Sequence, residues 1–103
     1  MKLIKTLSEN IEDEIEDIKK YAKLAIEVRE QYPNLAETLY AISKQENEHF
    51  NLLHNQVTKI IQDYRLKVGE PPADMMAIYD YLHKKHIEDM ADAKRYQDMY
   101  LGK

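Results

Sequence analysis

Residues 43–53 read SKQENEHFNLL and set a carboxylate, Glu46, three places before an imidazole, His49. On a helix, side chains at that spacing point to one side, with Cβ atoms about 5–6 Å apart. The pair suits two ligands of one metal ion. A carboxylate is a hard oxygen donor that can bridge two ions, and imidazole is a borderline donor suited to iron, zinc or copper. Glu14 lies in an earlier helical stretch. Measured from the turn at Pro33, Glu14 is 19 residues back, while Glu46 and His49 are 13 and 16 forward. In an antiparallel helix pair the three therefore fall within about one to two turns of the same height. A buried, unpaired carboxylate is costly, and a cation is one way to compensate it. The nearest lysines, Lys19, Lys20, Lys23 and Lys44, mostly lie off this line. Taken singly, Glu14 reads equally as a boundary carboxylate that reaches water, and Glu46 with His49 as an exposed pair. Their combination is what points to a metal.

The elements that must position these residues are helices. The 103-residue chain has two Gly, three Pro and 33% charged residues, and it is rich in Glu, Lys, Ala, Leu and Ile. Few breakers among strong helix formers predict long helices, and 44% hydrophobic residues are enough for one packed core. The expected segments are residues 7–32, 34–68 and 73–101. TLSE offers a capping box with Thr6 as N-cap and Glu9 at the third helical position. Pro33 stops the first helix. NLAE offers a second capping box, with Asn34 and Glu37. GEPPAD makes the next turn, and the third helix starts near Pro72 or Asp74. Connections this short make neighbouring helices antiparallel. The fold class is all-α, a bundle of three long helices in a single domain over residues 1–103.

Each helix carries an apolar stripe at helical spacing. In the first it runs Leu7, Ile11, Glu14, Ile18, Tyr21, Ala25, Val28. In the second it runs Leu35, Leu39, Ile42, Glu46, His49, Leu53, Gln56, Ile60. The polar members lie near the middle of both. The second helix has another stripe, Phe50, His54, Val57, Ile61, Tyr64, so it needs more than one partner: the third helix, a second subunit, or both. The third helix reads IYDYLHKKHIEDM, in which Asp80 and His83 repeat the carboxylate–histidine spacing and His86 follows three later. His83 and His86 lie near the stripe Met76, Tyr79, Met90, Ala93, Gln97, Tyr100. Each has a plainer reading, as a polar residue at the bundle edge or, for Asp80, facing water.

Glu14, Tyr21 seven residues later, and the ENEH of Glu46 and His49 resemble the ferritin-like di-iron carboxylate superfamily, nearest to rubrerythrin and the encapsulated ferritins, over about residues 8–60. The Glu plus Glu-x-x-His pattern is the one by which that superfamily is described. The resemblance implies that Glu14 is a terminal or bridging ligand, Glu46 a bridging ligand, His49 a terminal ligand, and Tyr21 a redox-adjacent aromatic. It implies a divalent metal, iron first, with zinc or manganese as the other candidates. It also implies ferroxidase, peroxide-related or metal-storage activity. A complete site of this kind has a second Glu and a second Glu-x-x-His, and this chain has only one more helix. Two completions are open. Either the third helix supplies His83, with Asp80 or His86, or two chains pair their half-sites in a homodimer or higher homo-oligomer. The competing reading is a non-enzymatic helical interaction protein whose metal is structural or lost.

Other classes are disfavoured. Net charge is −4 with acids and bases interleaved, so no basic patch suggests nucleic acid and no polybasic anchor suggests a membrane surface. No segment approaches the ~20 apolar residues of a membrane span. MKLIKTLSEN has too short an apolar run for a signal peptide, so a cytoplasmic location is expected. The absence of cysteine excludes disulfides, thiolate chemistry and a cysteine-bound electron donor within the chain.

Overall fold

The computed structural model describes residues 2–103 and folds them into three helices: α1 (Lys2–Val28), α2 (Pro33–Lys67) and α3 (Ala73–Tyr100). No strand is present among the described residues. The bundle is elongated, 56 × 20 × 18 Å, as helices of this length require at 1.5 Å per residue. α1 is the central element and packs against both neighbours, whereas α2 and α3 meet through few close backbone approaches. α2 runs antiparallel to α1, and α3 returns parallel to α1.

The helix starts differ from those expected. Thr6 lies inside α1, where its hydroxyl donates to the Lys2 carbonyl at 3.2 Å, so it caps nothing. α1 ends at Val28, before the expected limit at residue 32. Asn34 is not the cap of α2. Pro33 takes the first turn and Tyr32 stands at the N-cap without a side-chain bond. Proline suits that place because its φ is already helical and its missing N–H would have no partner there. At this same end of the bundle, the Arg29 guanidinium donates to the carbonyls of Met99 and Tyr100 at 3.2 and 3.3 Å. It satisfies the free carbonyls that end α3.

The core forms where all three helices meet. Ile4, Ile11, Ile15 and Ile18 of α1 pack with Phe50, Val57 and Ile61 of α2 and Ala93 of α3. A second cluster joins Ala25, Ala36 and Leu39, with Tyr21 and Tyr100 packed against it. The buried line of α1 is thus rotated from the expected stripe. Leu7, Glu14, Tyr21 and Val28 are only half-buried and form the flank of α1. In the second half of α2, the stripe through Phe50, Val57 and Ile61 is the buried one, while His49 and Gln56 are exposed. The reason is tertiary: α2 serves both α1 and α3 from one face, which leaves His49 and Gln56 of the other stripe outside while its Leu53 and Ile60 pack at the edge of the core. No helix among the described residues is long and apolar enough to cross a membrane.

Candidate metal centre

The outward flanks of α1 and α2 carry the three residues singled out first. His49 Nδ1 lies 3.5 Å from Glu14 Oε2 and 3.4 Å from Glu46 Oε2. One ligand atom from each residue falls within 4.8 Å of the others, and this is the single such trio of His, Asp or Glu among the described residues. Residues seven apart on a helix share a face, which places Leu7 and Tyr21 on either side of Glu14. The same rule places Ile42 and Leu53 around Glu46 and His49.

The trio lies between core and solvent. The side chains of Glu14 and Glu46 are 25% and 17% exposed, and that of His49 is 54% exposed. Two carboxylates therefore face one another at a partly desolvated seam. Their ion-pair partner among the described residues is His49, with no lysine or arginine beside either. Glu14 Oε2 is fully buried and accepts no hydrogen bond. At 3.5 Å the imidazole is near enough for attraction but not placed for a bond. A buried carboxylate oxygen with no donor is a costly arrangement that a cation would relieve. Two oxygen donors and one imidazole nitrogen form a donor set suited to a divalent transition metal.

The other expected ligands are not brought to this cluster within one chain. The His83 ring stacks on His54 at 4.8 Å and on Tyr79 at 5.7 Å. His54 in turn stacks on Phe50 at 5.7 Å, so four rings form a ladder across the α2–α3 seam. His86 is 3% exposed, and its Nε2 has no hydrogen-bond partner. The charges of Glu12, Asp89 and Lys85 act on it, from the α3-facing side of α1 and from α3 itself. Burial pushes both His54 and His86 below the ordinary imidazole value, and His83 nearby pushes in the same direction, while Glu12 and Asp89 pull His86 the other way. Asp80 is exposed beside Tyr79 and Met76. α3 faces the side of α1 away from Glu14, held there by ion pairs from Glu12 to Lys85 and from Lys19 to Asp89 and Asp92.

The family model for rubrerythrin matches residues 5–100. The chain belongs to the rubrerythrin family. The match runs through α3, well past the residues that carry the resemblance in the sequence, so the third helix is part of the family pattern even though its histidines lie apart from the trio. No curated protein and no solved structure matches the chain. Family membership and the Glu–Glu–His geometry together make this a ferritin-like helical protein with a group able to hold a metal.

One feature near the trio escaped the sequence reading. Ser43, Asn47 and Gln97 form a hydrogen-bonded layer between the three helices. Its only sequence signal is a glutamine within the apolar stripe of α3.

Proposed function

We propose that this rubrerythrin-family chain binds a divalent metal, iron first, through Glu14, Glu46 and His49, and that a second copy of the chain supplies the remaining ligands. The observation that carries the reading is the orphaned Glu14 carboxylate oxygen, buried beside a second carboxylate and an imidazole with no lysine or arginine to neutralise them. Glu14 and Glu46 would hold the ion from the two helices. His49, the most exposed of the three, would complete the chain's share.

When bound, iron supplies one-electron chemistry with oxygen or peroxide, which is the basis for a ferroxidase or peroxide-related activity. The protein's own residues do the rest. The two carboxylates compensate the ion's charge, His49 adds a neutral donor, and Leu7, Tyr21, Ile42 and Leu53 limit water around it.

The case for a second copy is the outward aspect of the trio. Three ligands leave a transition metal short of its usual coordination, and the open side faces away from α3. The same face continues along both helices as apolar surface, with Leu3 and Leu35 about half exposed. Both lie eleven residues, about three turns, from a ligand and so share its side of the helix. A homodimer joined across this face would bring two trios together and cover those side chains. With no membrane-spanning helix among the described residues, a cytoplasmic setting is the simplest one for such a protein.

Metal content after Fe(II) or Zn(II) loading and gel filtration tests the reading. Wild type retains metal, and Glu46→Ala and His49→Ala lose it. Wild-type protein free of metal after loading sinks the proposal. His83→Ala retains wild-type metal content if α3 lies outside the site. Mixing Fe(II) with oxygen and following the absorbance separates ferroxidase activity from simple binding. The exposed apolar flank also favours a second reading, a helical interaction protein that oligomerises without metal. It predicts the same sedimentation for apo and loaded protein.

A further inference from the structure

α3 gives no ligand to the trio, yet it reaches the neighbouring turn through a buried side chain. Gln97 is 3% exposed and Ser43 is fully buried. Gln97 Nε2 donates to Ser43 Oγ at 2.9 Å and to Asn47 Oδ1 at 3.2 Å. Asn47 Nδ2 donates back to Gln97 Oε1 at 3.2 Å. Ser43 Oγ passes the chain on, donating to the Ile18 carbonyl of α1 at 2.9 Å. Both amide hydrogens of Gln97 are used, its carbonyl accepts, and the serine hydroxyl both donates and accepts, so the two buried members of the network are satisfied.

Such a layer is not needed for burial. Apolar residues of similar shape would fill the space at little or no loss of stability. What a satisfied polar network adds is discrimination: it holds one arrangement and penalises others. Its place in the fold matters. Ser43 is one turn before Glu46, Asn47 adjoins Glu46, and Ile18 is one turn after Glu14. A slip of α2 along α1 by one turn, about 5.4 Å, breaks every bond in it. Among the described residues the ion pairs of Glu14 and Glu46 run only to His49, so their placement depends on how α1 and α2 are set against each other. Binding constellations need their side chains held within about 0.5 Å.

We infer that Gln97 is a positioning residue for the metal centre, acting from α3 through Ser43 and Asn47 to set the rotation and height of α2 against α1. The inference rests on the reading of Glu14, Glu46 and His49 as ligands. The first test uses the full chain with Ser43→Ala, Asn47→Leu and Gln97→Leu combined. Zn(II) affinity is measured by competition with a chromophoric chelator, and thermal stability is measured in excess chelator. Affinity falls about 10-fold, the lower end of the 10–100-fold loss that follows removal of a residue bonded directly to a ligand, because the network acts through helix placement, while the metal-free melting temperature is unchanged or higher. Unchanged affinity overturns the inference. So does an affinity loss matched by a loss of metal-free stability, because that is only a weakened fold.

Should the combined variant fail to fold, Gln97→Met, close in shape, takes the same two readings. A metal-free reading separates this inference from the ligand assignment. In a Glu14→Cys, His49→Cys chain, a short thiol-bridging reagent joins the two positions, and Gln97→Met slows that joining several-fold. If wild type takes up no Zn(II), the ligand reading fails and the cross-linking rate alone decides the positioning role. An unchanged rate refutes it.

Discussion

Replacing Glu14 by glutamine exposes the conflict between stability and metal binding at this seam. Glu14 Oε2 is buried without a donor, and Glu46 faces the same imidazole nitrogen. Glutamine keeps the shape, removes one of two facing charges, and offers an amide N–H toward the Glu46 carboxylate. Leaving a buried acceptor unsatisfied costs roughly 1–3 kcal/mol. Because the side chain is a quarter exposed, the lower end applies, about 1 kcal/mol of relief. For a domain of this size that raises the metal-free melting temperature by about 4–8 °C. Metal acts in the opposite sense. At a free concentration 100 times the dissociation constant, binding stabilises wild type by about 2.7 kcal/mol, and the variant, short of a ligand, gains much less. The assay is a thermal melt by circular dichroism at fixed protein concentration, with chelator and then with Zn(II). The melting temperatures cross: the variant is higher without metal and lower with it. A Glu14→Gln protein that melts below wild type in chelator refutes the account of Glu14 as a poorly compensated carboxylate.

Acid destabilises the fold through its buried histidines. Burial holds His54 and His86 below the ordinary value of 6.5, so the unfolded chain takes up protons first. Their contribution is fully present above about pH 6.5 and is lost as the pH falls through the lowered folded values; melts across that range show the drop, and His86→Leu makes it shallower. Ile18→Ala, at a fully buried side chain between all three helices, costs about 2–5 kcal/mol in denaturant unfolding, in line with other large core truncations. Gly69 adopts φ 122° in the α2–α3 turn, and Gly69→Ala lowers stability by roughly 1–2 kcal/mol through backbone strain, although a Cβ there meets nothing. His49→Ala, at a half-exposed side chain, leaves the metal-free melting temperature within about 2–4 °C of wild type, as a surface change of ±0.5 kcal/mol allows.

Much of this architecture is legible from residue spacing. Pro33 and the GEPPAD turn divide the chain into three helices because only there do breakers interrupt strong helix formers. Glu14, Glu46 and His49 are legible as a trio because a short turn makes α1 and α2 antiparallel, and counting from it sets their heights. What spacing cannot decide is which of two equally apolar stripes on α2 turns inward. Phe50, Val57 and Ile61 win because α3 closes on that side, and the choice moves His49 and Gln56 to the surface. The same tertiary choice separates His83 and His86 from the trio. Their spacing on α3 copies that of ligands, yet His83 enters a ring ladder with His54, Phe50 and Tyr79, and His86 enters the core beside Glu12. Ser43, Asn47 and Gln97 are unremarkable in the sequence because a satisfied network is visible only when three helices are superposed. Thr6 and Asn34 show the limit of capping patterns: an earlier helix start in one case, and a proline at the first turn in the other, displaced both.

The most direct test is anomalous diffraction from iron-loaded crystals at the iron absorption edge. The proposed site predicts a peak bounded by carboxylate oxygens of Glu14 and Glu46 and a nitrogen of His49, with a second copy of the chain across its open side. A peak among His54, His83 and His86, or no peak in crystals of loaded protein, contradicts it.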